Sequence, residues 1–162
     1  MTESANSIES WIKNLPASRM VFPPDLFNRL KYFAWKLYTP MHPFLRDTAT
    51  GLRIIRHTVS RQDFLLGRIA PGQTMREFIS HCVKQGYANH FVAWRDDGQL
   101  VSLRYLDGFS YQYHLRIFKD GEVRGHFEYT PEYRPVSHIL EVGLEDRRHV
   151  FYEHLGDRIT RA

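Results

Sequence analysis

The sequence predicts an α+β fold: an antiparallel meander of four to six strands with helices packed on one face. Three observations predict it. Residues 111–130 alternate apolar and polar side chains around a glycine-bearing turn. Two more alternating runs, 90–95 and 99–106, come just before and are joined by turns of similar chemistry. A capped amphipathic helix precedes these strands and a second helical pattern follows them.

The hairpin at 111–130 fixes the sidedness of everything around it. In 111–118 the odd positions are Tyr111, Tyr113, Leu115 and Ile117, and the even ones include Gln112, His114 and Arg116. In 122–130 the odd Val123, Gly125, Phe127 and Tyr129 alternate with Glu122, Arg124, His126 and Glu128. Successive strand residues point to opposite faces, so each strand has one apolar and one polar side. The three-residue loop Lys119-Asp120-Gly121 keeps odd opposite odd, with Gly121 in the left-handed position such loops use. A slip by one residue would exchange the faces. His114 then faces His126, Gln112 faces Glu128, and Arg116 faces Arg124.

The other elements follow in chain order. A short helix is expected over 7–15, ending before Pro16, and a longer one over 25–38, stopped by Pro40. The second carries a stripe of Leu26, Phe27, Leu30, Phe33, Ala34 and Leu37, expected to pack on the domain. Runs 52–59 and 64–69 read as strands. Thr74 and Glu77 form the sequence signature of a capping box, so a helix spans 75–86 and ends at Gly86. Its stripe includes Cys82, which reads as a small core residue. Strand 90–95 meets 99–106 across Asp96-Asp97-Gly98, with Phe91 expected opposite Leu103. A turn at Asp107-Gly108-Phe109 would set Val101 by Leu115, Leu103 by Tyr113 and Tyr105 by Tyr111. Segment 136–142 is open to either strand or helix. A last helix is expected from Leu144 to Gly156, with a frayed end. The layering has a ferredoxin-like flavour, an analogy that assigns no function. Residues 1–50 read as an N-terminal helical extension and 51–162 as the α+β domain.

Composition narrows the function classes. The net charge of +4 is uneven: residues 1–73 hold ten Lys/Arg against five Asp/Glu, and residues 74–162 hold twelve against thirteen. That basic bias is mild beside a dedicated nucleic-acid arm. With Cys82 as the single cysteine, an intramolecular disulfide and a cysteine-based zinc site are both excluded. The first residues lack the pattern of a signal peptide and no apolar run reaches membrane-span length, so a cytoplasmic protein is expected.

Candidate chemistry gathers on the even-numbered side. The expected rows are Ser102, His114, His126 and then Arg104, Gln112, Glu128. Two imidazoles facing each other with a carboxylate two residues along are a donor set for zinc or a related ion, or an acid–base pair. Arg104, Arg116 and Arg124 could hold an anionic ligand there. The plainer expectation for that side is a solvated sheet surface, since antiparallel sheets often have one wet face. The stretch from Glu128 to Glu132 reads as loop surface. A third group, Arg29, Lys31, Trp35 and Lys36 on helix 25–38, suits an anionic surface such as a membrane or nucleic acid. The leading expectation is a small non-catalytic binding or interaction module with an anionic ligand or a protein as partner. The alternatives are a His/His/Glu enzyme and a nucleic-acid or anionic-surface binder.

Overall fold

The computed structural model describes residues 5–18, 25–38, 41, 44, 48, 64–90, 96–134 and 144–162. The protein is α+β, built on one six-stranded antiparallel sheet. In chain order the elements are α1 (Ala5–Ile12), α2 (Leu26–Tyr38), β1 (Phe64–Ile69), α3 (Met75–Lys84), β2 (Ala88–Asn89), β3 (Gln99–Asp107), β4 (Tyr111–Phe118), β5 (Glu122–Tyr129), α4 (Arg148–Leu155) and β6 (Ile159–Arg161). The sheet order is β2-β3-β4-β5-β1-β6. Strands β2 to β5 form the meander. Strand β1 lies beside β5, and the chain's end pairs with β1 as a sixth strand.

The β4–β5 register is the one the alternation requires, with His114 opposite His126, Gln112 opposite Glu128 and Arg116 opposite Arg124. Gly121 takes φ 87° at the loop's last position, and the Asp120 carboxylate accepts from the Glu122 amide at 3.0 Å. The capping box also forms: Glu77 N–H donates to Thr74 Oγ1, and the Thr74 amide donates to the Glu77 carboxylate at 2.8 Å.

The β3–β4 register differs from the expected one by two residues. Leu103 faces Leu115, Tyr105 faces Tyr113 and Asp107 faces Tyr111. The turn is Gly108-Phe109-Ser110, because Gly108 supplies the left-handed residue (φ 68°) at its first position and leaves Asp107 in the ladder. The Thr130 hydroxyl and amide, donating to the carbonyls of Phe109 and Ser110 at 2.6 and 3.0 Å, fix this turn. Leu103 likewise faces Asn89 across β2, where Phe91 was expected. The strand expected over 52–59, residues 91–95 and segment 136–142 lie outside the described residues.

Odd-numbered side chains of β3, β4 and β5 (Val101, Leu103, Tyr113, Leu115, Ile117, Val123 and Phe127) form one core with Leu66 of β1. Phe78, Ile79 and Cys82 of α3, Phe151 and Leu155 of α4, and Ile8 and Ile12 of α1 belong to it too, with Tyr87, Leu100 and Ile159. The N-terminal segment is therefore docked: after α1, Ala17 bridges to Asn89 beside β2. Burial drives the Cys82 thiol up to about 12, which fits a core residue and not a nucleophile.

Three further expectations are corrected. The chain's end is not frayed: Ile159 is buried, and main-chain pairing holds Thr160 and Arg161 against β1. Helix α4 starts at Arg148, because Asp146 accepts from the Arg148 amide and holds 144–147 outside the helix. The stripe of α2 is not buried. Leu26, Leu30 and Leu37 are 73%, 61% and 74% exposed, and Phe27 and Phe33 also stand well out of the core. Among the described residues, no helix is long and apolar enough to cross a membrane.

Candidate metal centre

The even-numbered face of the sheet is not wet. Ser102, Arg104, Gln112, His114, Arg116, His126 and Glu128 are all buried. Burying that many polar groups is unfavourable unless each finds a partner; Arg116 pairs with Asp96, and the other six side chains form one connected network. The register shift rearranges the expected rows: Arg104, His114 and His126 lie side by side, as do Leu106, Gln112 and Glu128. Ser102 is then diagonal to His114, and its hydroxyl still meets His114 Nε2.

At the centre, three side chains converge. His114 Nδ1 lies 3.3 Å from His126 Nε2. The Glu128 carboxylate presents Oε1 at 3.6 Å from His114 Nδ1 and Oε2 at 3.3 Å from His126 Nε2. Each residue offers one ligand atom, and those atoms all lie within 4.8 Å of one another. The strands make this possible: His114 and His126 are cross-strand neighbours, and Glu128 sits two residues on, on the same face.

A second set of groups orients the first. Gln112 Nε2 donates to Glu128 Oε1 at 2.5 Å. Arg104 Nη1 donates to Gln112 Oε1 at 3.2 Å, which fixes the amide's orientation. Arg104 is clasped by Glu132, with Nη2 to Oε1 at 3.0 Å and Nη1 to Oε2 at 3.3 Å, and its Nε meets the Ser18 hydroxyl. The His90 ring stands edge-on to His114. On the adjoining row Arg116 bonds Asp96 at 2.5 Å, and Arg124 bonds Glu122 at 2.5 Å. The three candidate anion-holding arginines are thus each engaged by a carboxylate already. A cavity of about 390 Å³ opens at the β2 edge of the sheet, between Pro16–Ser18, Tyr87 and Tyr105, and Arg104 forms part of its wall.

Burial pushes the His114 imidazole well below the usual histidine range, and the neighbouring His126, Arg116 and His90 push the same way against the opposing pull of Glu128. His114 is therefore neutral at pH 7. A folded-state pKa below the unfolded one means that acid favours the unfolded chain. Stability is at its full value above about pH 6.5, the ordinary histidine value, and falls as pH drops from there toward the folded pKa, by up to about 1.4 kcal/mol per pH unit. Urea denaturation of metal-free protein between pH 7.5 and 5.5 measures that slope. A flat profile, or a slope unchanged in His114→Gln, would count against it.

Sequence reasoning found His114, His126 and Glu128, and it missed four of their supports. Glu132 is 2% exposed and not loop surface. Asp96, Ser18 and His90 come from segments whose approach no periodicity encodes. On the core side, His81 Nε2 lies 3.0 Å from the His154 carbonyl oxygen. Tyr87 meets His154 Nδ1 at 3.1 Å. Of the candidate surface-binding residues, Arg29 and Lys36 are exposed on α2, and the side chains of Lys31 and Trp35 lie outside the described ones. Comparison with protein-family models, curated proteins and solved structures returns no match for this chain.

Proposed function

We propose that this protein is a metal-binding module in which His114 Nδ1, His126 Nε2 and the Glu128 carboxylate hold one divalent ion, zinc by the fit of its geometry. The 3.3 Å between His114 Nδ1 and His126 Nε2 carries this, with one Glu128 oxygen 3.6 Å from the first ring nitrogen and the other 3.3 Å from the second. Around a tetrahedral zinc with bonds of about 2.0–2.1 Å, neighbouring ligand atoms stand about 3.3 Å apart, against about 2.9 Å in an octahedral shell with the same bonds. Two imidazoles and a carboxylate also match zinc's preferred donors.

The outer groups fit the same role. For His114 to bind through Nδ1, its Nε2 must carry the proton, and the Ser102 hydroxyl is there to accept it. Gln112 orients the carboxylate. Metal binding needs neutral imidazoles, and the buried His114 meets that condition well below neutral pH. Three protein ligands leave a fourth position for water or a ligand atom. Binding is favoured over turnover because the triad is only 2–6% exposed, and because the nearby arginines are matched by Glu132, Asp96 and Glu122.

The test is zinc titration of metal-free protein. Free zinc at a hundred times Kd adds about 2.7 kcal/mol, a rise in Tm of about 5 to 10 °C for a domain of this size. Cobalt(II) in the same site gives the intense visible bands of a tetrahedral ion. His114→Ala/His126→Ala removes both signals. Glu128→Gln, which keeps an acceptor for Gln112, weakens affinity beyond the roughly 10- to 100-fold loss typical of an outer partner. A wild-type Tm that zinc does not move, with no cobalt band, overturns the proposal.

A further inference from the structure

We infer that α2 is an interfacial helix that docks this protein on an anionic lipid surface. The observation is a helix presenting the wrong side for a soluble partner fold. At about 100° per residue, Leu26, Leu30, Phe33 and Leu37 fall in one narrow arc and Phe27 and Ala34 widen it to about 120°. In a helix packed on its own domain that arc would be the buried one. Here its three leucines are 61–74% exposed, and Met41 and Phe44, just beyond the helix, are 55% and 72% exposed.

Charge identifies the occupant. Within Leu26–Tyr38 the ionisable side chains other than tyrosine are Arg29, Lys31 and Lys36, with no carboxylate among them. Arg29 and Lys36 are seven residues apart and therefore lie on one edge of the apolar arc, and both are exposed. Long basic side chains along the border of an apolar stripe keep their charge at the headgroups while their stems follow the acyl boundary. Thirteen residues of helix span about 20 Å, too short to cross a hydrocarbon core of about 30 Å, so the helix lies in the surface. A nucleic acid would use the cations and leave the leucines in water. A lipid surface uses both.

The experiment is co-sedimentation of the full chain with vesicles. One set is phosphatidylcholine alone, and the other contains roughly a third phosphatidylserine. The expected result is binding to the anionic set, weakened by salt, with little binding to the neutral set. Leu30→Glu/Leu37→Glu reduces binding about tenfold or more, and so does Arg29→Glu/Lys36→Glu. The exposure of these side chains leaves the circular dichroism and Tm of both variants as in wild type. Four results overturn the inference: no binding to anionic vesicles, binding that Leu30→Glu/Leu37→Glu leaves unchanged, tighter binding to a duplex oligonucleotide than to vesicles, or a stable dimer in sedimentation that Leu30→Glu/Leu37→Glu dissolves. None of these depends on zinc, so the metal proposal stands or falls separately.

Discussion

Glu132→Ala is expected to destabilise the fold by about 3 to 5 kcal/mol, the range for a buried ion pair that loses one partner. Arg104 and Glu132 are both 2% exposed, and the guanidinium meets the carboxylate through two hydrogen bonds. Removing the carboxylate leaves a positive charge in the interior, and arginine cannot escape by giving up its proton. The pair itself need not be stabilising. An apolar pair of similar volume can serve as well, because both desolvation terms vanish together. Arg104→Leu/Glu132→Leu should therefore recover much of the loss, a non-additivity that a double-mutant cycle reads directly. Urea denaturation checks the magnitude, provided the slope m stays constant. A loss below about 1 kcal/mol for Glu132→Ala would mean that the charge is solvated after all. The change also reaches the proposed metal site. Arg104 holds Gln112 and Gln112 holds Glu128, so zinc affinity should fall in the double leucine variant even where stability returns.

Why the sequence yields the triad and not its supports is a question of what alternation can encode. A strand's side-chain period is two, so a pattern of apolar and polar residues detects a slip of one and is blind to a slip of two. The β4–β5 register was legible because Gly121 ends its loop and leaves one solution. At β3–β4, Gly108 serves two neighbouring turn placements that keep the same parity, and contacts from Thr130 select between them. Parity was therefore right and the rows were displaced. Alternation also says which side a residue faces and nothing of what covers that side. Arg104 and Glu132 are 28 residues apart, and such a pairing belongs to tertiary structure. The same blindness applies to α2, whose stripe reads as that of a packed helix. Strand β6 is three residues with one buried apolar side chain, Ile159, too little for any period.

Phe151→Ala is expected to cost about 3 to 5 kcal/mol, as for a large aromatic truncated in a core, and the partner across the interface makes the cause testable. Phe151 of α4 is 1% exposed and packs edge-on to Tyr113 at 5.4 Å. It reaches the sheet at Gly125, where a Cβ would come within 2.8 Å of Cε1, 2.9 Å of Cζ and 3.0 Å of Leu66 Cδ1. Gly125 is thus the floor on which the ring rests, opposite Leu115 on β4 and one residue before His126. Gly125→Ala alone overpacks this contact and should lose about 1 to 3 kcal/mol. In the Phe151→Ala background the added methyl enters the space the ring has left. Its backbone needs no left-handed φ there, and alanine loses less conformational freedom than glycine on folding. Gly125→Ala should then be neutral or stabilising, so the two substitutions together cost less than their sum. Equal losses for Gly125→Ala in both backgrounds would place the strain in the strand backbone and not under the ring. Because the strand bearing His126 is seated by that contact, wild-type protein and the double variant should also differ in zinc affinity, which links the apolar layer on one side of the sheet to the ligand geometry on the other.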